Sequence, residues 1–80
     1  MDNWYVYIIE TEGSKLYTGI TKDIENRFQK HLDGKGAKFF RTDKPKKIVY
    51  TEQLETHGEA LKREYEIKQM TKKKKLELIS

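Results

Sequence analysis

The sequence predicts a small mixed α/β domain in the order ββαβαα, with its three strands in one sheet. Three observations carry that prediction. Runs rich in aromatic and β-branched residues occur at Trp4–Glu10, Lys15–Thr21 and Lys47–Leu54, as strands require. Segments with helical signals follow the second and third of these runs. Finally, 80 residues suffice for one core only, so strands and helices must share it as a single domain over 1–80.

The first two runs form a hairpin around "TEGS", and the loop length decides which side chains share a face. A two-residue loop at Glu12-Gly13 pairs Tyr7 with Thr18. A three-residue loop, Thr11-Glu12-Gly13, puts glycine third, where such a turn needs a left-handed residue. It pairs Glu10 with Ser14, Ile8 with Leu16 and Tyr7 with Tyr17. The second loop is favoured because it sorts the hairpin. Trp4, Val6, Ile8, Leu16 and Ile20 then share the core face, and Tyr5, Tyr7, Tyr17 and Gly19 share the other.

"TKDIENRFQKHLDG" reads as a helix, capped by Thr21 or Asp23 and followed by Gly34. Ile24, Phe28 and Leu32 form its buried stripe, with Arg27 and His31 one turn apart along the edge, able to reach the sheet without full burial. "GKGAKFFRTDKPKK" is a loop anchored by Phe39 and Phe40. "KIVYTEQL" is the third strand. Thr56 and Glu59 form a capping box that starts the next helix, with Ala60, Leu61 and Ile67 on its inner face. A short last helix begins near Thr71 and docks through Leu76 and Ile79. The helices are expected on the Trp4/Val6/Ile8 face of the sheet.

Composition narrows the functional classes. There is no cysteine, which excludes disulfides and thiolate metal sites and fits a reducing compartment. No apolar run approaches the ~20 residues of a membrane span, and the N-terminus lacks the apolar stretch of a signal peptide, so a cytoplasmic protein is expected. Lysine and arginine total 17 against 13 acidic residues, a net charge of +4. The excess is concentrated. Lys35, Lys38, Arg41, Lys44, Lys46 and Lys47 are opposed only by Asp43, a distribution that suits a polyanionic partner. The Lys72–Lys75 run reads as a solvated face.

A few residues sit oddly. Glu64 falls by angle on the inner face of its helix, where a carboxylate must be paired or bound to a metal. A salt bridge to Arg27 or a lysine satisfies it, and so does Mg²⁺ held by one carboxylate, waters and phosphate oxygens. Tyr7 and Tyr17 make a favourable cross-strand pair whether or not they do chemistry. Gly19 relieves strain or lets a phosphate approach the backbone. Arg27 and His31 each have an ordinary reading, as a solvated charge and as a satisfied edge residue. His57 has no assigned role.

Taken together, "YVY", "YTG", Arg27, His31 and the Glu64 of "EALKRE" resemble the GIY-YIG nuclease domain, from about Trp4 to Ile79. "YTGIT", "GKGAKFFR" and "EALKREYEIK" are similar to its short stand-alone bacterial branch. The resemblance implies an α+β fold, a three-stranded antiparallel sheet flanked by helices, and metal-dependent hydrolysis of a DNA phosphodiester with Mg²⁺ or Mn²⁺. RNA is a further possible substrate.

By matched position, Tyr7 and Tyr17 correspond to the tyrosines of the two triplets. Arg27 corresponds to the phosphate-facing arginine, His31 to the histidine or tyrosine that follows it, and Glu64 to the metal ligand. Tyr7 is the expected base, assisted by Tyr17, with His31 as alternative base or proton donor; a phenol, whose ordinary pKa is about 10, needs nearby positive charge for that work. Gly19, Lys35, Lys38, Arg41, Lys44, Lys46 and Lys47 are the expected nucleic-acid contacts. Two departures stand out. Tyr5 occupies the family's glycine position, where it is expected to crowd the pocket or restrict substrate, and no asparagine follows Asn26. The alternative function is a non-catalytic nucleic-acid-binding module on the same fold.

Overall fold

The computed structural model describes residues 3–80, so Met1 and Asp2 of the expected domain lie outside the described residues. The chain runs β1 (Trp4–Thr11), β2 (Leu16–Thr21), α1 (Ile24–Leu32), a short 3₁₀ turn (Lys38–Arg41), β3 (Pro45–Leu54), α2 (His57–Lys68) and α3 (Lys72–Ile79). The order ββαβαα is the expected one. The sheet is antiparallel, with β1 between β2 and β3. That central place suits β1, whose consecutive Val6, Tyr7, Ile8 and Ile9 are all buried, a run needing cover on both faces.

The hairpin register differs from the expected one by two residues. Tyr7 pairs with Gly19, Ile8 with Thr18 and Ile9 with Tyr17. The loop is Glu12-Gly13-Ser14, closed by Ser14 N–H donating to the Thr11 carbonyl at 3.0 Å and Thr11 N–H to that of Lys15 at 2.9 Å. Ser14, not Gly13, takes the left-handed position, with φ 65°. The cause lies far along the chain. Asp43 accepts from the Thr11 hydroxyl at 2.6 Å and from Gly13 N–H at 2.9 Å, and a Cβ on Gly13 would lie 2.8 Å from its carboxylate. Because the shift is an even number of residues, the two faces are sorted as predicted.

The helices are not all on one face, which corrects the expectation. Val6 and Ile8 pack with Ala60 and Ile67 of α2 and with Leu78 and Ile79 of α3. The tyrosine face is covered too: Tyr7 and Ile9 pack with Phe40, Phe28 of α1, Ala37 and Ile48. The two-residue link after β2 turns α1 onto that face. Thr21 Oγ1 accepts from Asp23 N–H at 3.1 Å, and Asp23 caps α1 by accepting from Asn26 N–H at 3.1 Å. The capping box of α2 forms as predicted, and Thr71 caps α3. Leu32, Leu61 and Leu76, expected to be buried, are exposed. Leu32 yields its place to His31, Leu61 lies outside the seam made by Ala60 and Ile67, and Leu78 docks α3 in place of Leu76.

Thr18 shares the α2-side face with its partner Ile8, and its buried Oγ1 has no hydrogen-bond partner. Thr18→Val keeps the shape and removes the orphaned hydroxyl, so it is expected to stabilise the fold by about 1 kcal/mol. For a chain of 80 residues that raises Tm by about 4–8 °C, readable by calorimetry.

Candidate active site

Four elements converge on one open cleft of about 350 Å³. Tyr7 comes from β1, Tyr17 and Gly19 from β2, Arg27 and His31 from α1, and Glu64 from α2. The sheet places the first three. Residues two apart on β2 face the same way, so Gly19 lies directly opposite Tyr7 of β1 and Tyr17 lies diagonally across from it on the same face. Gly19 is required there for space, since a Cβ would lie 2.5 Å from Tyr7 Oη and 2.7 Å from Cζ. The room left by the missing side chain is filled by the Tyr7 ring.

Tyr7 and His31 form a buried hydrogen-bonded pair, with Oη 3.0 Å from Nε2. The other imidazole nitrogen, Nδ1, accepts from Ala37 N–H at 3.3 Å. Aromatic rings wall the pair. The Tyr17 ring centroid lies 6.3 Å from that of Tyr7 and meets His31 edge-on at 5.5 Å, and Phe40 packs on His31 at 4.5 Å. His31 is thus a buried residue, 3% exposed, and not an edge residue as expected from its helical angle.

The environment acts on both groups. Burial, and then the neighbouring Tyr17 phenol, push the Tyr7 pKa well above its ordinary 10; Arg27 opposes this and Glu64 adds to it. Burial, followed by the Arg27 guanidinium, lowers the His31 pKa, so the imidazole is neutral at pH 7. Glu64 is partly shielded and pairs with Lys68 one turn on, at 3.2 Å. That ion pair is the one the sequence offered as an alternative to metal binding.

The basic candidates are dispersed. Lys35 lines the same cleft as Tyr7 and Glu64. Arg41 and Lys44 line a neighbouring groove that shares His31 as a wall. Lys38 lies in the 3₁₀ turn, while Lys46 and Lys47 are exposed on β3, with Lys47 4.0 Å from Glu10. Tyr5 is absent from the cleft: it lines a separate depression with Lys22 and Asp23 at the start of α1, so it does not crowd the site.

Two contributors went unread in the sequence. After α1, Gly34 turns the chain with φ 77°, and Lys35 N–H donates to the Lys30 carbonyl at 2.9 Å. The returning segment lays Gly36 and Ala37 against His31. A Cβ on Gly36 would overlap Nδ1 and lie 2.6 Å from Cε1. The only available signal was the "GKG" spacing, which marks a loop without saying what it must clear.

Comparison with known proteins gives a consistent result. The profile of the GIY-YIG catalytic domain matches residues 3–77. A UPF0213 protein of Staphylococcus saprophyticus is 51% identical over 80 residues, covering 100% of this chain and 98% of its own length. One of Staphylococcus aureus is 51% identical over 79 residues, covering 99% of this chain and 96% of its own. The solution NMR structure of a UPF0213 protein from Bacillus halodurans superposes with a TM-score of 0.62 at 42% identity, covering 96% of this chain and 82% of that one. None of these three names states a reaction.

Proposed function

The chain belongs to the GIY-YIG catalytic domain family, and from that premise we propose that it is a divalent-metal-dependent DNA endonuclease of the cytoplasm. One observation carries the reading. Tyr7, Tyr17, Arg27, His31 and Glu64, from two strands and two helices, line one cleft open to solvent. Hydrolysis at phosphorus needs an attacking water, neutralisation of the non-bridging oxygens and help for the leaving oxygen, and those side chains are suited to these tasks.

The donor chemistry at Glu64 fits a hard cation. Among the described residues no group of three His, Cys, Asp or Glu side chains could cage a metal. A lone carboxylate on an open cleft suits Mg²⁺ or Mn²⁺, which keep several waters and take further oxygens from a phosphate. When bound, such an ion would polarise the phosphoryl group and stabilise the departing oxygen. Arg27 presents a planar guanidinium to the non-bridging oxygens. Tyr7 takes the proton of the attacking water as the phenolate, after releasing its own proton to solvent in the open cleft, with Tyr17 beside it. Burial, and then Tyr17, oppose its phenolate; Arg27 is the positive group that favours it, and cancelling the Glu64 charge removes a further opposing one.

Lys35 extends the phosphate contacts from the cleft, and Lys38, Arg41, Lys44, Lys46 and Lys47 provide the surrounding positive field. Gly19 is a space-making residue in this reading. A non-catalytic nucleic-acid-binding module is the second reading, and the Glu64–Lys68 ion pair favours it by giving the carboxylate a partner other than metal.

The test is incubation of the wild-type protein with plasmid, single-stranded, branched and RNA substrates, in Mg²⁺, Mn²⁺ or a chelator. Metal-dependent cutting of DNA is expected, with binding that weakens steeply as salt rises. Binding without cutting of any substrate leaves the second reading. Neither binding nor cutting removes both.

A further inference from the structure

Within the proposed nuclease reading, on which this rests, the reacting tyrosine is held by a histidine whose own proton is assigned by backbone. We infer that the Gly36-Ala37 segment locks His31 in the Nε2–H tautomer, so that His31 is a hydrogen-bond donor that positions Tyr7 and is never the general base. Backbone N–H groups can only donate. Ala37 N–H lies 3.3 Å from Nδ1, so Nδ1 contributes a lone pair there and carries no proton. A neutral imidazole then has its one proton on Nε2, 3.0 Å from Tyr7 Oη. The phenol oxygen accepts this bond, and its own proton is free to point elsewhere.

The surroundings enforce the arrangement. His31 is 3% exposed and packed by Phe40, and among the described residues its two ring nitrogens meet only Ala37 N–H and Tyr7 Oη. Gly36 lets the backbone reach the ring, because a Cβ at that position would overlap Nδ1. The charged group acting on the imidazole, Arg27 one turn earlier, disfavours the doubly protonated form. Two chemical consequences follow. The imidazole has no free lone pair with which to take a proton from water or from Tyr7. Tyr7 must give up its own proton before it can take one from water, and the Nε2–H stabilises the phenolate so formed, which places His31 behind the base as a supporting donor.

Two measurements test this, the first needing neither substrate nor activity. Long-range proton–nitrogen NMR correlations on the isotopically labelled, metal-free protein read the tautomer of His31 directly at neutral pH. An unprotonated Nδ1 and a protonated Nε2 are expected. A Nδ1–H tautomer, an imidazolium, or an averaged mixture would overturn the inference, whatever the protein does to DNA.

The second compares His31→Gln with His31→Ala, each shown to be folded by its amide spectrum. Glutamine can place an amide N–H near the Nε2 position but cannot act as a base. The alanine variant is expected to cut about a hundredfold more slowly than wild type, as for loss of one hydrogen bond to a charged group, and the glutamine variant to recover most of that loss. Glutamine as inactive as alanine would overturn the donor role. If wild type itself cuts nothing, the nuclease reading falls and the tautomer measurement still decides the lock.

Discussion

Glu64→Gln is expected to reduce DNA cleavage on the order of a thousandfold, the rate equivalent of about 4 kcal/mol of transition-state stabilisation. Glutamine preserves the shape and a coordinating oxygen but removes the negative charge on which a weakly held hard cation depends. Nothing else in the cleft replaces that charge, since Glu64 is the one carboxylate among the residues that line it. Folding should hardly change. The Glu64–Lys68 pair is a half-exposed one-turn helical pair, a type that contributes only about 0.3–0.5 kcal/mol. Binding of DNA in chelator should be retained or slightly tightened, because a negative charge leaves a phosphate site. Cleavage rates, thermal melting and fluorescence-anisotropy binding measured together separate these effects. A variant that still cuts at the wild-type rate would remove Glu64 from the chemistry.

The second large effect is expected at Tyr7. Tyr7→Phe deletes a hydroxyl and keeps the ring that fills the space beside Gly19. Loss of a positioned acid–base group lowers a rate by about a hundred- to ten-thousandfold, and a fall within that range is expected here. The substitution also strips His31 Nε2–H of its partner at a contact between two side chains that are each 3% exposed. An orphaned buried donor costs about 1–3 kcal/mol, so Tyr7→Phe should melt lower than wild type even though it is the less polar protein. A large rate loss with unchanged melting would mean that the Tyr7–His31 contact adds nothing to the fold. An unchanged rate would exclude Tyr7 as the base.

How far the sequence was legible depends on the range of the interaction concerned. The strands, the α2 capping box at Thr56–Glu59 and the Asp23 cap were readable because their causes lie within a few residues. The sorting of Tyr7 and Tyr17 away from Val6 and Ile8 was readable as well, since it depends only on the parity of the register. The register itself was not. It is chosen by Asp43, which clamps a turn thirty residues before it and leaves Ser14 in the left-handed position that local rules assign to glycine.

The side of the sheet covered by α1 was likewise hidden, and with it the burial of His31 in place of Leu32. A helical angle says which residues are neighbours on the helix. It does not say that a returning loop will press Gly36 and Ala37 onto one of them. Tyr5 shows the reverse error: sequence matching put it in a catalytic triplet, while its place two residues along the same face from Tyr7, beside the start of α1, carries it to another depression. The glutamate was legible because a carboxylate among Ala60 and Ile67 breaks the helical pattern, although its Lys68 partner was named only as some nearby lysine.

The account's central claim is that one cation and one phosphodiester meet in this cleft, and paramagnetic mapping addresses it directly. Mn²⁺ is titrated at substoichiometric levels into the labelled protein together with a short DNA oligonucleotide, and the broadening of each amide signal is followed. The predicted result is broadening centred on Tyr7, Gly19, Arg27 and Glu64, abolished by Glu64→Gln. Broadening centred instead on Glu12 and Asp33 in the neighbouring groove, or unchanged in Glu64→Gln, would contradict it.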